Sequence, residues 1–280
     1  MMIDRGRRAA AQGKRVARKK FQRGIFLLPS IFTIGNLFCG YYSIISTLHG
    51  NYLEAAVAIG IAIVLDGLDG RLARLTNSQT AFGSVFDSIA DVLTFGMAPA
   101  ALVFSWGLWD LGRIGWMTSF FFLTCAATRL ARFTVQASQH DRRFFVGLAA
   151  PPAAGMLAAL AFYSPERISS PGVSFFMLAL VAVLSLLMIS KLRYRSFKDI
   201  DLQNPQRYTM MALLAIIIWL IALEPQTVLL LLASTYTMSG PVERLVQQFR
   251  RRRLAEEARS EDEARINEAS RNSEPAEPKI

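Results

Sequence analysis

Cysteine is nearly absent. The chain holds two, Cys39 and Cys125, both inside apolar runs and with no CxxC pair, so a disulfide framework and a thiolate metal site are both excluded. They read as small buried side chains. Acid is almost missing from the first 23 residues, where Asp4 alone stands against Arg5, Arg7, Arg8, Lys14, Arg15, Arg18, Lys19, Lys20 and Arg23. The first long apolar run is not followed by a small-residue cleavage site, so no cleavable signal peptide is expected. No internal repeat is evident. A net charge of +10 suggests nucleic acid at first sight. The basic residues, however, sit at the ends and in short connections, where a membrane protein places them against anionic lipid, and no nucleic-acid partner is expected.

Long apolar runs are what the chain does have. Apolar residues make up 52% of its 280 residues, mean hydropathy is +0.32, and a series of such runs implies a bilayer. They fall near residues 29–48, 51–74, 82–105, 114–135, 147–163, 171–190, 208–223 and 226–240. The last two are short and joined only by Glu224 and Pro225, which fits a hairpin of spans or a re-entrant feature. The expected fold is an all-α, polytopic integral membrane bundle.

With the amino terminus inside, the inner connections and the terminal segment carry His140, Arg142, Arg143, Lys191, Arg193, Arg195, Lys198, Arg207, Arg244 and Arg250 to Arg253. The outer connections carry only Arg113 and Arg167. That is the positive-inside bias, and it puts both termini and the 75–81 loop in the cytoplasm. Trp106, Trp109 and Trp116 flank the third run and read as interfacial aromatics. Small residues crowd the fourth and fifth runs and favour close helix packing. The order expected is a basic arm over 1–24, a membrane domain over 25–200, a further transmembrane hairpin over 201–240, and a charged, partly disordered tail over 241–280. For the arm, an organellar transit peptide also fits the composition.

Charge inside an apolar run is rare and has work to do, because hydrocarbon solvates it poorly. The stretch 66–91 reads DGLDGRLARLTNSQTAFGSVFDSIAD and holds four carboxylates, Asp66, Asp69, Asp87 and Asp91. In a helix Asp66, Asp69, Gly70 and Ala73 share one face, while Gly83, Asp87 and Asp91 recur every fourth residue on the next. Facing carboxylates repel unless cations join them, and oxygen ligands suit Mg²⁺ or Mn²⁺. Two such ions assist phosphoryl displacement. Arg74, one turn after Gly70, adds a positive group for phosphate. Gly67, Gly70 and Gly83 open the backbone to a bulky nucleotide or serve helix packing. The reading of a different class is a cation-coupled transporter, against which Arg74 counts because it would repel the cation.

At these residues the sequence resembles the CDP-alcohol phosphatidyltransferases. Their signature D-x2-D-G-x2-A-R-x8-G-x3-D-x3-D is matched without a gap by Asp66, Asp69, Gly70, Ala73, Arg74, Gly83, Asp87 and Asp91. The resemblance implies a six-helix membrane core, to which the last two runs would add two C-terminal transmembrane helices, and usually a homodimer. It implies transfer of a phosphatidyl group from a CDP-activated lipid to an alcohol, with release of CMP. It also implies that Asp66, Asp69, Asp87 and Asp91 bind two Mg²⁺ or Mn²⁺ ions and that Asp91 is the general base. Asp66, Asp69, Gly70, Ala73, Arg74 and Gly83 would then face the CDP moiety.

The flanks PSIFTIGNLFCGYYSI (29–44), DSIADVLTFGMAPA (87–100), ATRLARF (127–133), FVGLAAPPAAG (145–155) and YRSFKD (194–199) look like the branch that takes L-serine as acceptor and CDP-diacylglycerol as donor. The chain departs from that branch at Thr128, Thr134 and Ala149–Ala150. Glycerol phosphate and an inositol-type polyol are the rival acceptors. A zwitterionic acceptor beside a phosphate calls for cations, and Arg129 and Arg132, three apart in the apolar fourth run, are the candidates. The resemblance places such an enzyme in a bacterial inner membrane, with its active site on the cytoplasmic side.

Overall fold

The computed structural model describes residues 31–75, 81–137, 145–190, 193–194, 212, 215–216 and 219–242. The basic arm, residues 76–80, His140, Arg142, Arg143, Lys191, Arg195, Lys198, Arg207, half of the seventh run and the tail beyond residue 242 lie outside the described residues.

The described chain is a helical bundle. Helix α1 covers Ile31–Leu48. It is followed by α2 (Tyr52–Leu75), α3 (Ala81–Asp91), α4 (Ala98–Val103), α5 (Arg113–Ala137), α6 (Ala150–Tyr163) and α7 (Pro171–Ile189), and by α8 over 225–242. Helices α3 and α4 are one rod, joined by a π-helical turn at Val92–Met97 and continued by a second at Phe104–Leu108. Each π turn admits an extra residue and rotates the side chains that follow.

Among the described residues four helices are long and apolar enough to cross a membrane: Ile31–Leu48, Phe82–Leu111, Arg113–Val135 and Pro171–Ile189. The chain is therefore an all-α, multi-pass membrane bundle. The second run forms a 24-residue helix, but it carries Glu54, Asp66, Asp69, Arg71 and Arg74. The fifth run yields only the 14 residues of α6. It starts late because Gly147 takes a left-handed turn (φ 91°), and Pro151 and Pro152 then sit in the first helical turn, where a missing N–H costs nothing.

Side-chain size decides which helices approach closely. Helix α2 packs along α6, and both bury small residues: Ala55, Ala56, Ala58 and Ala62 on one, Ala150, Ala153, Ala154 and Ala158 on the other. Lipid tails are as apolar as a core, so the gain here is van der Waals contact at short range, which small residues permit. Helix α5 packs along α7, and both rest against the α3–α4 rod. Hydroxyls inside the bundle bond back to their own helices, as Thr47 does to the Ser43 carbonyl at 2.8 Å and Ser185 to that of Val181 at 2.7 Å.

Two features depart from the expectations. Trp106 is not interfacial. It is 3% exposed, and its indole N–H donates to the carbonyls of Ser164 and Glu166 at 2.9 and 2.8 Å. A buried indole needs such a partner, and here it tethers the loop between α6 and α7. Trp109 and Trp116 do stay exposed. The second departure is a two-residue antiparallel clip, β1 (Phe145–Val146) against β2 (Arg193–Tyr194), with Phe145 opposite Tyr194. It joins the chain before α6 to the chain after α7, so Phe145 and Val146 lie beside Tyr194 and Arg193.

Candidate active site

Three helices meet where the charged residues of the apolar runs lie. Near its end α2 carries Asp66 and Asp69, three residues apart, and α3 carries Asp87 and Asp91, four apart. Both spacings keep a pair of side chains on one helix face. Carboxylate oxygens of Asp66, Asp87 and Asp91 lie within 4.8 Å of one another. Asp69, 6% exposed, is not in that trio. It accepts a short hydrogen bond from the Thr33 hydroxyl of α1, and it stays within electrostatic reach of Asp66, Asp87 and Asp91.

Helix α1 supplies the polar partners. Asn36 donates from its side-chain amide to Asp91 Oδ1 at 3.1 Å. Its backbone carbonyl accepts from the hydroxyl of Thr94, in the π turn just past Asp91, also at 3.1 Å. The other amide atom, Asn36 Oδ1, is buried with no hydrogen-bond partner. Gly40 lets the two helices close. A Cβ built there would lie 2.9 Å from the Thr94 Cα, so no larger residue fits without displacing backbone.

On the other flank stands Arg129 of α5, half-buried and within electrostatic reach of Asp91 and of Tyr236 from α8. Its Nε is buried with no hydrogen-bond partner. Arg132 is exposed. Ser88 and Thr134 share a hydrogen bond of 2.9 Å that joins α3 to α5 beside the cluster. Gly70 is exposed on α2 and Gly83 half-buried on α3. Ala73 and Arg74 continue the α2 helix, and their side chains lie outside the described residues.

Sequence reading found the carboxylates and Arg129 but assigned no role to Thr33, Asn36 or Tyr236. A signal for the first two existed. Thr33, Asn36 and Gly40 form a polar and small stripe at helical spacing on an otherwise apolar segment.

The donor set fits a divalent cation. Three carboxylate oxygens converge in a poorly hydrated place, where their mutual repulsion is strong, and hard oxygen donors of this kind match Mg²⁺ or Mn²⁺. Fold and site thus define a multi-pass helical membrane protein with a carboxylate centre suited to divalent ions. The sequence pattern of the CDP-alcohol phosphatidyltransferase family matches residues 26–187, and the chain belongs to that family. Its chemistry is phosphatidyl transfer.

The chain is similar to the CDP-diacylglycerol–serine O-phosphatidyltransferase of Helicobacter pylori, at 34% identity over 177 residues, covering 63% of this chain and 75% of that protein. It is similar to the Bacillus subtilis protein of the same name at 34% over 180 residues, covering 63% of this chain and 94% of the relative. It is also similar to that of Mycobacterium leprae at 30% over 224 residues, with coverage of 77% and 73%.

Proposed function

We propose that the protein transfers the phosphatidyl group of CDP-diacylglycerol to the hydroxyl of L-serine, giving phosphatidylserine and CMP. The observation that carries this reading is the convergence of Asp66, Asp87 and Asp91 beside the half-buried Arg129. The similarity to bacterial serine O-phosphatidyltransferases supports serine as acceptor.

In this reading Asp66, Asp69, Asp87 and Asp91 hold the divalent ions. When bound, those ions would neutralise the diphosphate and the charge of the departing CMP. Gly70, Ala73, Arg74 and Gly83 face the CDP moiety: the glycines admit it to the backbone, and Arg74 meets a phosphate. Asp91 accepts the proton of the serine hydroxyl. The freed oxygen attacks the lipid-side phosphorus, and the bond to CMP breaks. Arg129 receives the serine carboxylate, and the exposed Arg132 meets a lipid phosphate. The catalytic domain is 25–200, between the basic arm 1–24 and the hairpin 201–240, with the tail 241–280 beyond. The basic inner connections support a bacterial inner-membrane location with the site and both termini facing the cytoplasm.

The test is CMP release by purified protein given CDP-diacylglycerol with L-serine, glycerol 3-phosphate or myo-inositol, each with and without Mg²⁺ or Mn²⁺. The expected result is ion-dependent CMP release with serine alone. Release with another alcohol instead of serine would overturn the acceptor. Failure with all three, together with ion-coupled solute uptake in vesicles, would overturn the enzyme reading.

A further inference from the structure

Asn36 of α1 is 1% exposed and is held at two points. Its side-chain amide donates to Asp91 Oδ1 at 3.1 Å, and its backbone carbonyl accepts from the Thr94 hydroxyl. An ionised carboxylate only accepts, so the amide turns its nitrogen toward Asp91 and its oxygen away from that bond. That oxygen, Asn36 Oδ1, is buried and finds no hydrogen-bond partner among the described residues. A strong acceptor in so poorly hydrated a place requires a donor.

We propose that Asn36 Oδ1 takes a hydrogen bond from the ammonium group of the acceptor and so selects an amino alcohol. This rests on the proposed serine transfer and adds a specificity-determining residue to that site.

The placement matches the chemistry of such an acceptor. Both ends of one amide share a carbon, so Oδ1 stands beside the nitrogen that holds Asp91. In serine the hydroxyl and the ammonium sit on adjacent carbons. A hydroxyl delivered to Asp91 therefore brings the ammonium into the neighbourhood of Oδ1. The diphosphate of the donor lipid offers only acceptor oxygens, which an amide oxygen repels. A hydroxyl of glycerol phosphate or of a polyol can donate as well. An ammonium, however, makes a charge-assisted bond, roughly twice as strong as a neutral one. It also keeps two further N–H donors for the carboxylates that converge beside Asp91.

Asn36 also orients Asp91, so a fall in turnover does not by itself report this contact. The test therefore compares two acceptors in the full-length purified protein: L-serine, and 3-hydroxypropionate, which is serine without its amino group. Both need Asp91 equally, and its orientation cancels in the ratio of their kcat/KM values for CMP release. The parent should prefer serine by roughly 10- to 100-fold, the scale of one hydrogen bond to a charged group. In Asn36→Leu both values should fall, and the preference should shrink to within about three-fold. Where that variant does not fold, Asn36→Ala supplies the same ratio. Asn36→Asp keeps an oxygen at this place but no donor toward Asp91, so it should turn over slowly and still prefer serine. Equal use of the two acceptors by the parent overturns the inference, as does a preference that survives in Asn36→Leu or Asn36→Ala. A preference lost in Asn36→Asp also overturns it, because shape rather than an acceptor atom would then decide. Failure of the parent to use serine at all overturns the serine transfer and this inference with it, a result distinct from a ratio that does not move.

Discussion

Asn36 on α1 holds Asp91 on α3 through an amide hydrogen bond of 3.1 Å between residues 55 apart in sequence. Its backbone carbonyl is fixed by the Thr94 hydroxyl one turn further on. The amide restrains one oxygen of the carboxylate, and the Thr94 contact fixes the stretch of α1 that carries the amide. In the proposed reaction Asp91 accepts a proton, and its carboxylate must not rotate.

Asn36→Leu keeps the branched outline of the side chain and removes the donor. It also removes the buried, unpartnered Oδ1, which offsets part of the cost of leaving the buried Asp91 carboxylate without its donor, so the loss of stability should be about 1–3 kcal/mol. Turnover should fall roughly 10- to 100-fold, as happens when the partner that orients a functional ligand is deleted. Steady-state CMP release alongside a thermal melt in detergent separates the two quantities. A melt lowered by many degrees with kcat intact would mean that Asn36 serves packing rather than Asp91.

Thr33 plays the corresponding part for Asp69. In Thr33→Val the shape is kept and Asp69 loses its hydroxyl donor. The Mg²⁺ or Mn²⁺ concentration for half-maximal CMP release should rise about 10- to 100-fold, with the maximal rate at saturating ion nearly restored. A metal titration of both proteins reads this directly. An unchanged midpoint would remove Asp69 from the ion-holding set.

Much of this site was legible in the sequence, for a physical reason. Helical spacing is local, so Asp66 with Asp69, and Asp87 with Asp91, could each be assigned to one face from sequence alone. The cost of charge in hydrocarbon then forced the faces together. Thr33 and Asn36 act across 36 and 55 residues, and no local pattern reports a partner at that range. Trp106 departs from the interfacial expectation because an indole at the end of an apolar run suits an interface and a buried tether equally well. What decides is the loop carbonyls of Ser164 and Glu166, which only folding brings near. The π turns after Asp91 and Val103 have no sequence signal. The short α6 could have been anticipated from Gly147 and the Pro151–Pro152 step.

Gly40 tests the packing that holds α1 to the α3 rod. Helix propensity alone makes Gly→Ala favourable by about 1 kcal/mol in an exposed helix. At Gly40 a Cβ would stand 2.5 Å from Thr94 Oγ1 and 2.9 Å from its Cα. Backbone cannot give way as a flexible side chain can, so Gly40→Ala should destabilise by roughly 1–3 kcal/mol. It should also depress turnover, because α1 carries Thr33 and Asn36. At Gly155 the nearest atom is the tip of Ile63, at 3.1 Å, and Gly155→Ala should be much milder. Melts of the two variants side by side provide the control, and equal behaviour would mean the α1–α3 approach is looser than the contact implies.

Trp106→Phe addresses the far end of the same rod. The indole N–H serves two carbonyls of the loop between α6 and α7, and Ile168 N–H donates back to the Trp106 carbonyl at 2.9 Å. Phenylalanine keeps most of the ring but leaves both carbonyls short of a donor in a buried place, which costs about 1–3 kcal/mol. The backbone contact through Ile168 survives, so the loop should loosen without detaching. Hydrogen exchange at residues 164–170 should accelerate while exchange around Asp66, Asp87 and Asp91 stays slow, since Asp87 and Asp91 sit toward the other end of the rod. Turnover should therefore change little at a temperature well below the melt. A large loss of kcat at unchanged stability would show that the loop is coupled to the carboxylate centre through the rod, and the two ends could no longer be treated as independent.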